Sequence, residues 1–506
     1  MPLPIVNSIA SWFLKKRIHQ MELFMKYPNE VQEEILFNLL RIAKSTEFGK
    51  QYDFKSITTY KQFAERIPIV NYEAIEPFIT RSRMGEKNIF WPSDIKWFAK
   101  SSGTTNAKSK FIPVSNESLE DCHYAGTKDL LCTYLNNNEN AQLFTGKGLR
   151  LGGSKEIHEE NGIYSGDLSA IIIDNMPFWA EMSSTPSNNI SLMSDWETKM
   201  TAIVNETLQE NVTSLAGVPS WMLVLLNEIL ATKGITNLSE IWPHLEVYFH
   251  GGVSFTPYRD QYKQIFPKSC KYYEIYNASE GFFAIQDQNN SDELLLMLDY
   301  GIFYEFIDMD TYHSTNPKVY RLDQVALHKN YAILLTTNAG LWRYKVGDTV
   351  RFTSLNPFRI KVSGRTKHFI NVFGEELMIE NVEQALRKTC TKTNSDIVDF
   401  SVAPIFMKGR SKGAHEWLIE FKKAPKSTIE FTTILDYELQ QLNSDYEAKR
   451  NNNITLNPLQ LVIARENLFY DWLKSKGKLG GQHKIPRLSN SRDYLEDLLC
   501  LNQKTN

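Results

Sequence analysis

Cysteine is scarce in this 506-residue chain: Cys122, Cys132, Cys270, Cys390 and Cys500 lie far apart, and none forms a CxxC pair. An odd, scattered set argues against a disulfide framework and reads as reduced thiols in a cytoplasmic protein. Zinc signatures are missing too. The ten histidines contain no HExxH and no His/Cys cluster at zinc spacing, which argues against a transition-metal centre. No charge of one sign dominates: the formal net charge is -3, so nothing sequence-wide points to a nucleic-acid partner. No apolar run approaches the ~18 residues of a membrane span, so no transmembrane segment is expected. The stretch Pro4 to Leu14 imitates a signal peptide, but Lys15, Lys16 and Arg17 follow it instead of preceding it. Ile5, Ile9, Trp12 and Phe13 share one helical face, so a docked amphipathic helix is the better reading.

What is present is a globular composition, with 42% hydrophobic and 23% charged residues, in a chain too long for one core. A second helix is expected where Ile35, Leu36, Leu39, Leu40, Ile42 and Ala43 supply an apolar face. From about Ala141 short apolar runs read as buried strands: Ser169 to Ile173, Ser214 to Ala216, Leu245 to Phe249 and Lys271 to Tyr276. Helical stretches, Asp195 to Gln209 and Ser220 to Ala231, lie between them. Strand alternating with helix predicts an α/β fold with mainly parallel sheets. Leu294 to Asp308 and Val325 to Phe352 are strand-rich, as in an antiparallel subdomain. After Phe352 a compact α+β unit follows. Strands at Ile360 to Val362 and Phe369 to Val372 precede a helix at Glu380 to Thr389, then strands at Ile397 to Val402 and Glu416 to Phe421, then a helix at Ile434 to Leu442. The boundary is placed in the turn-like segment Gly364-Arg365-Thr366-Lys367, giving domains 1–366 and 367–506.

Three segments carry chemistry. Ser101-Ser102-Gly103-Thr104-Thr105-Asn106-Ala107-Lys108-Ser109-Lys110 offers backbone N–H groups, hydroxyls and cations to the oxygens of a triphosphate; the alternative is a solvated Ser/Thr loop. Gly148 to Lys155 has Walker-like glycine spacing, but Ser154 and Lys155 stand in exchanged order, so a glycine turn in a surface loop is the better reading. Tyr276-Asn277-Ala278-Ser279-Glu280-Gly281 follows a predicted strand, where Glu280 could hold Mg²⁺ beside phosphates; the alternative is a solvated turn acid. Upstream, His250-Gly251-Gly252 could let a flat base approach the backbone, or be an ordinary tight turn. In Trp342-Arg343-Tyr344-Lys345-Val346-Gly347-Asp348, the aspartate of a rigid post-strand turn could accept from both ribose hydroxyls, or simply close an Asx-turn.

The order of these segments, ending in Gly364-Arg365 at a domain boundary, resembles that of the adenylate-forming superfamily of acyl-CoA synthetases, adenylation domains and luciferases. Tyr344 to Asp348 and Gly364 to Glu375 fit one branch best. From Phe48-Gly49-Lys50 to Gln482 through Arg487, the chain resembles the auxin-responsive Gretchen Hagen family of acyl-acid amido synthetases, including its bacterial members. The resemblance implies a large N-terminal domain binding ATP and a carboxylic acid, and a small C-terminal lid turning about a hinge near Lys367. It implies phosphate contacts from Ser101, Ser102, Gly103, Thr104, Thr105 and Lys110, and magnesium at Glu280. Gly251, Gly252, Ser279, Arg365 and Lys367 would line the nucleotide site, Tyr276 would pack near the adenine or the acyl group, Asp348 would bind ribose, and Lys484 would approach the reacting groups on closure. Ala107 stands where the family's plant members carry glycine. The implied reaction makes an acyl-AMP and passes the acyl group to an amino-acid amine. A thioester-forming ligase using coenzyme A and a non-catalytic binding protein of the same fold are the alternatives. The acid is expected among residues between Cys122 and Met193, with Phe249 to Phe255 and Phe282-Phe283, although core packing is the better reading of the aromatic content. No obligatory protein partner is evident.

Overall fold

Runs of buried β-branched and aromatic residues make the centre of the fold a mixed twelve-stranded sheet. The computed structural model describes residues 17–101, 110–151, 157–176, 178–193, 196–256, 258–312, 314–366, 369–409, 411–451, 455–475 and 486–503. One half of the sheet is parallel, running from Lys271–Ala278 through Val247–Gly251, Val212–Gly217 and Lys147–Arg150 to Ser184–Thr185. Its inner strands read as continuous apolar runs because both faces are covered; all five residues of Val247–Gly251 are buried. The other half is antiparallel and continues the same strand order through Gly281–Ile285, Leu294–Leu296, Phe358–Arg365, Tyr344–Leu355, Asn330–Thr337 and Ile302–Asp308. The expected antiparallel subdomain is therefore an extension of the same sheet. Lys271–Ala278 is the switch strand, parallel to one neighbour and antiparallel to the other.

The helix Pro219–Lys233 follows the strand Val212–Gly217, starting on proline and ending at Gly234 in the left-handed conformation. A smaller sheet pairs Trp97–Ser101 with Lys110–Val114 and Ile163–Gly166. Beyond Arg365, strands Asp396–Ile405, Ala414–Lys423 and Gln460–Ala464 form a separate three-stranded sheet. It carries the helices Ile379–Thr393 and Thr428–Leu442.

Three local expectations are corrected. Ser169 to Ile173 is not a strand but lies within the helix Leu168–Asp174, which buries Ala170, Ile171 and Ile173 on one side. A short β-branched run fits either geometry, and here the helical face decides. Gly148 is not in a loop: it pairs with Ser214 inside the strand Lys147–Arg150, while residues 152–155 of that motif lie outside the described residues. Gly364 and Arg365 end a strand rather than forming a turn, because both are paired across to Thr349 and Asp348.

The C-terminal segment sits on the N-terminal one through a shared hydrophobic cluster that includes Met222, Tyr258, Tyr262, Phe373 and Met407. Tyr258 donates its hydroxyl to the Val372 carbonyl at 2.7 Å. Gln261 donates to the Met407 carbonyl at 2.7 Å and accepts from the Gly409 N–H at 3.1 Å. Within the C-terminal segment the fully buried Glu375 and His415 meet at 2.9 Å. The Val372 and Phe373 N–H groups also donate to Glu375. Burial alone would raise the Glu375 carboxyl, but His415 and the backbone donors hold it below its usual range.

Candidate active site

Four separated segments meet near the end of the switch strand. The first is a β-hairpin whose strands are held in register by the pairing of Ser101 with Lys110. The expected phosphate loop is the connection between them; Ser102, Gly103, Thr104 and Thr105 lie outside the described residues. The Phe111 N–H donates to the Tyr72 hydroxyl at 2.9 Å, and the Lys110 ammonium stands 6.0 Å from the Tyr72 ring centre. The hairpin is thereby tied to the helix Tyr72–Arg83.

The second segment is the turn between Lys271–Ala278 and Gly281–Ile285, which holds Ser279 and Glu280. Gly281 packs closely: a Cβ there would come within 2.6 Å of Ile302 Cδ1 and 3.1 Å of Phe283 Cε1, so those side chains would have to shift. The next residue is gripped from behind: the Phe282 N–H donates to Cys122 Sγ at 3.1 Å. Cys122 sits on a π-helical turn, Leu119–Tyr124, a geometry often found beside functional sites. Burial raises the half-buried Glu280 carboxyl, and Lys110 is the largest influence opposing that rise. Such a carboxylate is costly without a cation, so its chemistry fits a magnesium ligand.

The third segment corrects the reading of Asp348. It lies not in a post-strand turn but inside the strand Tyr344–Leu355, where Gly347 adopts φ +101° and the neighbouring pairings shift register. That irregularity re-aims the carboxylate, a common use of a bulge. The Tyr276 hydroxyl donates to Asp348 Oδ2 at 2.8 Å. Arg365 Nε stands 2.9 Å from Oδ1, and its Nη2 reaches Glu376 Oε1 at 3.2 Å. Burial would lower the guanidinium, but Glu376 and Asp348 reverse this and keep it charged. Burial first, and then Asp348, push the Tyr276 phenol well up, so it stays a donor.

The strand start is braced by a buried ion pair: Arg343 donates to both Glu305 oxygens at 2.9 and 2.8 Å and to the Ala64 and Ile67 carbonyls. The adjacent Tyr344 is fully buried, and among the described residues its hydroxyl makes no hydrogen bond of ordinary geometry. Its leading charged neighbour is Glu280. Sequence reading assigned no role to Tyr344 or Glu376; a buried hydroxyl and a contact across two sheets leave no local signature.

The fourth segment is His250-Gly251-Gly252 at the end of a parallel strand. Gly251 is pressed against the Ile275 carbonyl, which a Cβ would meet at 2.6 Å. The Gly252 carbonyl accepts from Asn371 Nδ2 at 3.4 Å. His250 stacks on Phe255 at 4.1 Å, and burial lowers its imidazole to about 3. Of the residues expected around the acid, Cys122, Phe249, Phe282 and Phe283 pack together in one hydrophobic cluster. Lys367 and Lys484 lie outside the described residues.

Models of the GH3 family N-terminal, central and C-terminal domains match residues 17–271, 295–365 and 380–493. Indole-3-acetic acid-amido synthetase GH3.4 of Arabidopsis thaliana is 22% identical, the alignment covering 93% of this chain and 91% of that protein. The solved structure of the acyl acid amido synthetase AtGH3.15 in complex with 2,4-DB superposes with a TM-score of 0.62 at 18% identity, covering 96% of each chain. A 2-hydroxyisobutyryl-CoA ligase structure in complex with 2-HIB-AMP and CoA follows, with a TM-score of 0.57 at 12% identity, covering 95% of this chain and 93% of the other.

Proposed function

The chain belongs to the GH3 family, and from that premise we propose that it activates a carboxylic acid with ATP and joins the acyl group to an amino acid. The observation that carries this reading is the convergence on Asp348. Tyr276 and Arg365 hold this carboxylate, of the right type for a ribose, and Glu280 lies within its electrostatic reach, opposed in turn by Lys110. In the first half-reaction a carboxylate oxygen of the acid attacks the α-phosphorus of ATP and pyrophosphate leaves. Both reactants are anionic, so the work is to align them and to neutralise charge. Lys110 and the Ser101–Lys110 connection supply cation and donors, and Asp348 fixes the ribose. Magnesium would be held by Glu280 with phosphate oxygens, adding positive charge against the phosphates. In the second half-reaction the amine attacks the acyl carbon and AMP leaves with the bridging oxygen. The amine's surplus proton passes to solvent.

The reading extends to two finer statements. Residues 1–366 form the ATP- and acid-binding domain and 367–506 a lid, with Lys484 reaching the reacting phosphate and carboxylate on closure; the separate sheet beyond Arg365 supports this division. A cytoplasmic setting is supported by five scattered cysteines, three of them buried, with no disulfide among the described residues. No helix among the described residues is long and apolar enough to cross a membrane.

A screen of carboxylic acids for pyrophosphate release, with and without amino acids, tests the proposal. The expected result is acid-dependent release and a product whose mass is that of acid plus amino acid less water. Release with no amide, or a product formed only with coenzyme A, would contradict it.

A further inference from the structure

We propose that Glu376 is a positioning residue that works through Arg365 on Asp348, tying occupancy of the ribose site to the seat of the C-terminal segment. The inference rests on the nucleotide reading of Asp348 given above. Arg365 is the last residue of its strand and the cross-strand partner of Asp348. One edge of its guanidinium faces that aspartate at 2.9 Å and another faces Glu376 at 3.2 Å. Its ring neighbour, Phe369, also belongs to the C-terminal segment, with the guanidinium 5.1 Å from the ring centre. Arg365 therefore stands between the two segments and answers to an acid on each side.

Glu376 is held for this contact by its own side of the boundary. Its φ is +38°, uncommon for a residue with a long side chain. The Glu376 N–H donates to Asn371 Oδ1 at 3.2 Å, and its carbonyl accepts from Asn443 Nδ2 at 3.0 Å. The backbone is fixed within the C-terminal segment while the side chain reaches back to the N-terminal sheet. The other described hydrogen bonds between the segments pair a side chain with a backbone group: Tyr258 with Val372, Ser220 with Phe373, Gln261 with Met407 and Gly409, Asn227 with Gly409, and Asn371 with Gly252; the Lys449 ammonium also lies 4.5 Å from the Trp221 ring centre. Among the described residues, Arg365–Glu376 is the ion pair that crosses the boundary.

That difference makes it the contact a nucleotide can influence. Ribose hydroxyls arriving at Asp348 address the carboxylate that Arg365 Nε already engages. Any change in the hold of Asp348 on Arg365 alters what is left for Glu376. By linkage the reverse also holds, so the seat of the segment changes the affinity of the ribose site by the same factor. Both charged side chains are half-buried, so salt weakens the pair without abolishing it. A pair of this exposure shifts a two-state equilibrium by about threefold to tenfold.

The test is an inter-domain distance measured by double electron–electron resonance on the full chain. Spin labels go on M84C and I429C, positions 76% and 78% exposed, with Cys390 and Cys500 replaced by serine. AMP is the probe. In the parent, AMP is expected to change the distance distribution. In Glu376→Gln the ratio of docked to undocked molecules is expected to fall about threefold to tenfold and the response of that ratio to AMP to shrink by a like factor. Raising salt should reproduce that shift in the parent and barely move the variant. Identical distributions for parent and variant would overturn the proposal. Should the variant lose cooperative unfolding, the parent's salt titration decides, and a parent indifferent to salt overturns it as well. No acid or acceptor is needed. AMP that binds without moving the labels therefore refutes the coupling and leaves the nucleotide reading intact, whereas absence of AMP binding refutes that reading itself.

Discussion

Asp348 and Arg365 are direct cross-strand partners, yet Asp348 also takes the hydroxyl of Tyr276 from the switch strand, so one carboxylate joins both halves of the great sheet. Replacing it with asparagine keeps its shape and an acceptor for Tyr276 but removes the charge. Asp348→Asn is expected to weaken ATP binding by about 10- to 100-fold, the loss of one or two charge-assisted hydrogen bonds. Isothermal titration with soluble, folded protein checks this. Unchanged affinity would remove the ribose role.

Lys484→Ala separates chemistry from binding. A lysine that engages only on closure should leave ATP affinity within about threefold while slowing acid-dependent pyrophosphate exchange by about 100-fold or more. Single-turnover kinetics beside equilibrium titration distinguishes the two, and an equal fall in both would contradict the assignment.

Tyr344→Phe is expected to leave the protein as stable as before or to stabilise it by up to about 1–3 kcal/mol, because among the described residues the buried hydroxyl makes no hydrogen bond of ordinary geometry. The same change should weaken binding of ATP with magnesium, since that hydroxyl lies beside Glu280. Denaturant unfolding and nucleotide titration are read together. A variant that loses stability by more than about 1 kcal/mol would show that the hydroxyl is satisfied after all.

Glu274 gives a pH dependence. Burial is the main cause that raises its carboxyl to about 7, with Arg259 opposing. A carboxyl raised in the folded state contributes stability below its unfolded value and loses it as pH rises through the folded value. Parent and Glu274→Gln should therefore run parallel below about pH 4.5, diverge in favour of the variant between about 4.5 and 7, and run parallel again above. Unfolding curves at pH 4, 6 and 8 check the sign. A divergence favouring the parent contradicts it.

Much of this was legible in the sequence, and the misses have physical causes. Glu280 after a strand and Asp348 near Gly347 were found because turn and strand chemistry is local. That Asp348 sits within a strand was not, because the shifted pairings involve strands that only the fold brings together. The run Ser169 to Ile173 misled because β-branched residues suit a strand by propensity, while its helical burial depends on what packs against it. Arg343 and Glu305 form the brace of the site from positions 38 apart, and nothing in either neighbourhood announces the other. Glu376 lies one residue past the family motif Gly364 to Glu375 and drew no reading; its contact with Arg365 exists because the chain turns back through Phe369–Ile370 and Leu377–Met378.

The most direct measurement of the central claim follows the oxygen. An acid substrate identified in the screen is labelled with ¹⁸O in its carboxylate and turned over with ATP and an amino acid. Attack of that carboxylate on the α-phosphorus, followed by aminolysis at the acyl carbon, predicts AMP carrying one ¹⁸O and unlabelled pyrophosphate. Label appearing in inorganic phosphate, or unlabelled AMP beside labelled amide and water, would contradict the acyl-adenylate account.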